Sequence, residues 1–75
     1  AKAPYDLIVA NILAGPLISM AGQLCAVLDD GGYVILSGIL DEQAEDVRAV
    51  YEQHGANLVE QHSQDGGATL LLQKT

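Results

Sequence analysis

The chain has 75 residues, a formal net charge of −7 and a hydrophobic fraction of 49%. This apolar content excludes intrinsic disorder, and the length suffices for one small core or for a piece of a larger domain. Ten acidic against three basic residues argue against direct binding to nucleic acid, which requires a basic surface. No apolar run reaches the roughly 18 residues of a membrane span, and a single cysteine, Cys25, excludes an internal disulfide. We therefore expect a soluble, cytoplasmic protein that binds neither membrane nor nucleic acid.

The first predicted elements are a strand and a helix. Residues 5–10 end in an unbroken apolar run behind Pro4, which is typical of a strand covered on both faces. Asn11 ends this strand, and the proline of residues 14–16 favours the start of a helix. Residues 29–32, Asp-Asp-Gly-Gly, predict the turn that stops this helix. Its apolar stripe recurs at helical spacing and comprises Leu17, Ile18, Ala21, Leu24, Cys25 and Leu28.

A second strand and a second helix follow. Residues 33–36, Tyr-Val-Ile-Leu, predict another continuous apolar strand, from which residues 37–40 lead away. Asp41 is the predicted N-cap of the helix, whose acidic first turn complements the helix dipole. His54 lies in its predicted last turn, with Gly55 just beyond as a C-cap. The buried stripe of this helix comprises Leu40, Ala44, Val47, Val50 and Tyr51.

The last two predicted strands form a hairpin. Residues 57–62 are partly polar, residues 65–67 predict a turn, and residues 68–72 are apolar. An apolar last strand is expected inside the sheet, and its polar neighbour at an edge. The predicted fold class is therefore α/β, of order β-α-β-α-β-β, with two parallel strands and a terminal antiparallel hairpin. Because nothing precedes the apolar first strand, we expect either self-association through it or an absent N-terminal half.

Two strand ends are candidates for a functional site. Open α/β sheets bind ligands beyond the carboxyl ends of their strands, where residues 11–13 and 37–39 are expected. The Asn11 carboxamide can both donate and accept hydrogen bonds. From spacing alone, however, Asn11 as a cap of the following turn and Ser37-Gly38 as a strand exit of small residues are the favoured interpretations. The residues themselves leave both interpretations open.

Metal binding and thiol chemistry are not expected. His54 and His62 are eight residues apart on different predicted elements, with no second pair of ligands nearby. Cys25 lies on an apolar stripe, where a cysteine behaves as a small buried hydrophobe. It also has no histidine in the same segment that could activate it as a nucleophile.

Four segments together resemble the bacterial ribosomal protein L-eleven methyltransferase family. They are Asp6-Leu7-Ile8-Val9-Ala10-Asn11-Ile12-Leu13, Gly15-Pro16-Leu17, Gly31-Gly32, and Leu36-Ser37-Gly38-Ile39-Leu40 with Gln43 following. The resemblance covers essentially the whole chain, in the family's order and separation. It implies the C-terminal half of a Rossmann-like class I methyltransferase fold, with strands four to seven of seven. Residues 1–75 would then be a single partial domain that lacks the cofactor-binding N-terminal half.

The resemblance also implies roles for the residues at the two strand ends. In related amino-group methyltransferases, an Asn/Asp-Pro-Pro-aromatic segment at the end of strand four holds the substrate nitrogen. Asn11 is similar to the first residue of that segment, so its side-chain oxygen and the next carbonyl would orient an amine. Ile12 and Leu13 would flank the methyl donor, and Ser37 and Gly38 would lie near substrate or cofactor. The family's glycine-rich loop, its ribose-binding acid and the tryptophan before its last strand have no counterpart here.

The implied activity is methyl transfer from S-adenosylmethionine to lysine and α-amino groups of ribosomal protein L-eleven. The 75-residue chain itself is expected to be inactive, since half of the site is absent. The rival interpretation is a non-catalytic acidic α/β module for interaction or dimerisation. A nicotinamide-binding half-domain is a third option, although it too would need a glycine-rich first turn.

Overall fold

The four strands of the chain form one sheet in the order β1-β2-β4-β3, as seen in a computed structural model that describes residues 5–75. The elements are β1 (Tyr5–Asn11), α1 (Ala14–Ser19), α2 (Ala21–Val27), β2 (Leu28–Leu40), α3 (Asp41–Gln53), β3 (Ala56–Gln64) and β4 (Gly67–Lys74). β1 and β2 are parallel, and the other pairs are antiparallel. The predicted α/β class, the inward position of the last strand and the edge position of its neighbour are confirmed. Pro4 lies outside the described residues.

All three helices pack on one face of the sheet. Their buried residues join one core with the strand residues that point to the same face: Leu17, Ala21, Cys25, Ala44, Val47 and Tyr51 from the helices, and Val34, Leu36, Leu70 and Leu72 from the strands. On the other face, Leu7 is 54% and Val9 64% exposed. The prediction that β1 is covered on both faces is therefore wrong for residues 5–75, because the helical connections run over the same side.

No helix in this range is long and apolar enough to cross a membrane.

β1 lies at one edge of the sheet. Among the described strands it pairs with β2 alone, and β3 lies at the opposite edge. The edge strand β3 is rich in polar residues, whereas the edge strand β1 contains the apolar residues Leu7, Ile8 and Val9. An apolar edge strand can pair with another chain. Self-association through β1 stays a prediction.

The predicted first helix is two short helices that meet at Met20. Met20 is at once the C-cap of α1 and the N-cap of α2. Its N–H donates to the Pro16 carbonyl, and its own carbonyl accepts from Leu24, each at 2.9 Å. The hydrogen bonds thus keep the helical i→i−4 spacing across the junction, and the apolar stripe keeps its face. Leu28, predicted as the last residue of that stripe, instead begins β2.

β2 is longer than predicted at both ends and is irregular at both. Leu28 pairs with Tyr5 and Tyr33 with Leu7, so the predicted turn over residues 29–32 is a bulge opposite Asp6. The second irregularity falls between Leu36 and Ile39, where the strand was expected to end. A bulge bends a strand without ending its pairing. The predicted strand exit is therefore a bent continuation of β2.

The start of α3 differs from the prediction by one residue. Asp41 is the first helical residue, and Leu40 occupies the N-cap position. The Leu40 N–H donates to Gln43 Oε1 at 3.1 Å, and the Asp41 N–H donates to the Gly66 carbonyl at 2.8 Å. Because these partners satisfy amides at the helix start, no carboxylate cap is needed. At the other end His54 is the C-cap, just past the helix, and Gly55 follows as predicted.

Tyr51 ties α3 to α1 and provides a stability prediction. The side chain is fully buried, its hydroxyl donates to the Leu17 carbonyl at 2.8 Å, and burial raises the pKa of the phenol to about 12. Tyr51→Phe should lower the free energy of unfolding by about 1–3 kcal/mol at neutral pH, because a buried carbonyl loses its donor. The measurement is urea denaturation of the chain.

The same group predicts how stability depends on pH. The folded protein holds the phenol proton more tightly than the unfolded chain, whose tyrosine pKa is about 10. The contribution of Tyr51 is therefore complete below about pH 10 and is lost as pH rises towards about 12. The Tyr51→Phe chain should lack this part of the alkaline loss. An equal loss in both chains between about pH 10 and about pH 12 would contradict the assignment.

Candidate functional site

The candidate site lies where β1 and β2 end side by side. Asn11 is the last residue of β1 and pairs with Ser37 of β2. The Asn11 side chain is exposed and makes no hydrogen bond within residues 5–75. The following helix has Leu13 as its N-cap and no side-chain cap. The structure thus does not support Asn11 as a cap, and its amide is free to meet a ligand at the carboxyl edge of the sheet.

Gly38 brings the bend of β2 against the end of β1. Its φ is +81°, and a Cβ at this position would lie 2.8 Å from Asn11 Oδ1 and 2.9 Å from the Ile12 carbonyl oxygen. Neither the backbone conformation nor the space admits another residue without strain. The two oxygens therefore lie on the same side of the chain, next to the same glycine. One is a side-chain acceptor and the other is the next backbone acceptor.

The other predicted site residues lie at the same edge. Ile12 is 37% and Leu13 72% exposed, so two apolar side chains follow the Asn11 amide at the surface. Ser37 is half-buried and lies beside Asn11 in the pairing of β1 with β2. The structure thus brings all five residues that the sequence singled out to one place. This arrangement offers two hydrogen-bond acceptors next to an exposed apolar surface.

The remaining reactive side chains lie elsewhere. Cys25 is 3% exposed in the core, as predicted, and burial raises the pKa of its thiol despite the opposing charge of Lys74. His54 packs its ring against Gly22 of α2, 3.4 Å from the place of a Cβ. Within residues 5–75 no three acidic, histidine or cysteine side chains come close enough to hold a metal ion.

Gly31 and Gly32 do not form a cofactor loop. They lie within the first bulge of β2, and a Cβ on Gly32 would be 2.9 Å from the Asp29 carbonyl oxygen and 3.1 Å from that of Asp6. Gly32 therefore permits close packing of backbone on backbone, whereas Gly31 supplies a φ of +82° in open space. A loop that binds a nucleotide cofactor would instead open a helix and leave its amides free.

Sequence reasoning missed a group of polar side chains on the hairpin. The spacing of the histidines concerns His62 only as a metal ligand, and no motif in the sequence points to Gln64 or Thr69. The signal that could have found them is the predicted turn at residues 65–67. Its short connection pairs Gln64 with Gly67 and His62 with Thr69, which places all of them on one face.

Comparison with known proteins gives a consistent family. The model of the family described as "Ribosomal protein L11 methyltransferase (PrmA)" matches residues 1–75. A protein of that name from a Caulobacter species is 49% identical over 73 residues, which are 97% of this chain and 25% of that protein. One from Pseudomonas aeruginosa is 61% identical over 49 residues, 65% of this chain and 17% of that protein.

Solved structures agree with the sequence comparison. A ribosomal protein L11 methylase from Lactobacillus delbrueckii subsp. bulgaricus superposes with a TM-score of 0.91 at 28% identity, over 100% of this chain and 39% of that one. A methyltransferase from Pyrococcus furiosus superposes with a TM-score of 0.72 at 12% identity, over 99% of this chain and 42% of that one, and shows the fold alone. This chain spans a quarter or less of these curated relatives. Since the family model matches every residue, the chain belongs to the ribosomal protein L-eleven methyltransferase family.

Proposed function

We propose that this chain is part of a protein N-methyltransferase that transfers methyl groups from S-adenosylmethionine to lysine and α-amino groups of ribosomal protein L-eleven. One observation carries this proposal. Two acceptor oxygens, Asn11 Oδ1 and the Ile12 carbonyl oxygen, both lie beside Gly38 at the carboxyl edge of the sheet. The Asn11 amide has no partner among residues 5–75. Membership of the family supports the choice of donor and acceptor.

Orientation of the amine is the chemical task of these residues. An amine reacts through its lone pair, so the nitrogen must be neutral and aimed at the carbon that it attacks. Acceptance of two N–H bonds by Asn11 Oδ1 and the Ile12 carbonyl would turn the lone pair away from both oxygens. The donor, when bound, supplies a methyl group on a positively charged sulfur. The carbon–sulfur bond would break as the nitrogen bonds to that carbon, so the sulfur would leave as a neutral thioether and the positive charge would pass to the nitrogen, which can then lose a proton to water. Fixed orientation of this kind accounts for much of the rate in two-reactant steps.

The remaining site residues would exclude water and shape the space around the reacting nitrogen. Ile12 and Leu13 present apolar side chains beside the amide and would border the donor. Gly38, which has no side chain, lets the two oxygens pack against the bend of β2, and Ser37 lies beside Asn11 on the neighbouring strand. Since an amine bound in an apolar setting loses less of its nucleophilicity to solvation by water, this surface favours the reaction.

We further propose that residues 1–75 form one partial domain, completed on the β1 side by the part that binds most of the donor. The open face of the sheet supports this, because Leu7 and Val9 leave an apolar surface that a folded domain would cover. The greater length of the relatives supports it as well. A protein that modifies a ribosomal component would act in the cytoplasm, and the free Cys25 thiol fits a reducing compartment.

A graft into a relative tests this function. Residues 1–75 replace the matched 73 residues of the Caulobacter protein, and transfer of labelled methyl groups to ribosomal protein L-eleven is measured. We expect the graft to retain activity within about tenfold of its host, since the matched segments share about half of their residues. The isolated chain should show no transfer above a protein-free blank.

Two results would contradict the proposal. One is a graft that melts cooperatively and binds the donor, yet transfers no methyl group while its host is active. The other is turnover by the isolated chain, which would mean that the missing half is not needed. The rival interpretation, a non-catalytic acidic module, predicts the first of these results.

A further inference from the structure

A cavity of about 250 Å³ lies beside the proposed site, between the second bulge of β2 and the β3–β4 hairpin. Gly38 lines this cavity and also touches the space next to the Asn11 and Ile12 oxygens. The cavity and the two acceptors therefore share Gly38 as a neighbour. Its volume is below the roughly 300–1,000 Å³ of sites for drug-sized ligands, so it suits one side chain or a short peptide segment.

The strand register places polar side chains of the hairpin on the face of the sheet that bears the site. Ile35 pairs with Leu71, and His62 pairs with Thr69. Since side chains alternate along a strand, Ser37 and Thr69 share a face with the Ile35–Leu71 pair. His62 shares that face as the partner of Thr69. A row of polar residues thus runs from the end of β1 across the sheet to β3.

The cavity is polar and carries no positive side chain of its own. His62, Gln64 and Thr69 contribute the polar side chains, and the imidazole of His62 contacts the carboxylate of Glu60. Lys and Arg residues do not line it. Arg48 is instead paired with acidic residues on α3, and Lys74 is bonded to carbonyls at the end of α2. The lining contains no acidic, Lys or Arg side chain, so the cavity would hold a partner by hydrogen bonds and not by charge.

We propose that this cavity binds the polypeptide of the methyl acceptor next to the modified amine, and that His62, Gln64 and Thr69 hold an extended segment of it by hydrogen bonds. This inference rests on the proposed function. Asn11 lies on the β1 side of the cavity, and the cavity extends from Gly38 away from β1 towards the hairpin. Acceptor and donor would therefore approach Asn11 from opposite sides. The bulge of β2 also leaves a backbone residue without a partner on β4, which an extended peptide can use.

Two variants of the graft test the cavity in different ways. His62→Ala removes a largely exposed polar side chain, and Gly67→Val adds bulk to the cavity. The Cβ, the first of the three added carbons, would lie 3.6 Å from its nearest neighbours, which is ordinary van der Waals contact. His54→Ala is the matched control, since His54 is also exposed and lies at the end of α3. The measurements are kcat, KM for ribosomal protein L-eleven, KM for S-adenosylmethionine and the melting temperature.

We expect each cavity variant to raise KM for the acceptor about 5- to 20-fold. His62→Ala would remove one or two hydrogen bonds to the peptide, and Gly67→Val would reduce the fit between the peptide and the cavity. KM for the donor, the melting temperature and the His54→Ala graft should stay unchanged. Unchanged acceptor KM in both variants of an active graft would overturn this inference alone. A rise in the donor KM instead would assign the cavity to the donor and overturn it too. A folded graft with no transfer at all would overturn the proposed function, and this inference with it.

Discussion

Replacement of Asn11 by alanine in the grafted methyltransferase is expected to lower kcat about 100- to 1,000-fold. The loss of one polar group aimed at the reacting centre has an effect of this size in other enzymes. Here the amide is exposed, uses no partner among residues 5–75 and lies beside the second acceptor, the Ile12 carbonyl. Without Asn11 Oδ1 the amine retains one acceptor and rotates about it. KM for the acceptor should change little, since the neighbouring cavity still holds the peptide.

Two further variants separate this role from a general effect on folding. Asn57→Ala removes another exposed asparagine, whose amide donates to Thr75 Oγ1 at 2.9 Å, far from the site in the sheet. It should leave kcat unchanged. Asn11→Asp keeps an acceptor oxygen but adds a charge that stabilises a protonated amine, so its loss of kcat should be smaller at high pH than at neutral pH. If Asn11→Ala retains kcat within about threefold of the parent graft, Asn11 does not orient the amine.

The order of the strands could be predicted because it follows from polarity. A strand with apolar residues on both faces, such as residues 68–72, is stable only between neighbours, and the polar residues 57–62 are stable at an edge. The hairpin was equally accessible, since residues 65–67 favour a tight turn. Both predictions use only the composition of short segments of the chain. The position of Asn11 at the end of a parallel strand could be predicted in the same way, from the apolar run that precedes it.

The bulges could not be predicted, since they depend on contacts between distant residues. From the sequence alone Gly38 is interpreted as a strand exit. Its contacts with Asn11 and Ile12, which require it to be glycine, appear only in the folded structure. Residues 29–32 read as a turn until Leu28 is seen to pair with Tyr5. The same limit applies to the cavity, whose walls come from β2, β3 and β4 together. The chemistry of its side chain was thus enough to identify Asn11 as a candidate, whereas the residues around it could be known only from the register of three strands.

Gly38→Ala should be the most destabilising single change at the site. The φ of +81° is unfavourable for alanine by about 1–2 kcal/mol, and the added Cβ would overlap Asn11 Oδ1 and the Ile12 carbonyl oxygen. Overlap with backbone adds about 1–3 kcal/mol, because the neighbouring atoms have to move. We expect urea denaturation to show a loss of about 2–5 kcal/mol, and kcat of the graft to fall with the displaced amide.

Gly31→Ala is the matched control, because it separates backbone strain from overlap. Gly31 lies on the same strand with a φ of +82°, and nothing lies within 4 Å of its Cβ position. It should lose only the conformational part, about 1–2 kcal/mol, with kcat unchanged. Combination of Gly38→Ala with Asn11→Ala removes one of the two overlapping oxygens, so the double variant should be more stable than the sum of the single losses by about 0.5 kcal/mol or more. Additive losses would mean that Gly38 and Asn11 do not press on each other, and the paired acceptors would then lack the support that the bend of β2 gives them.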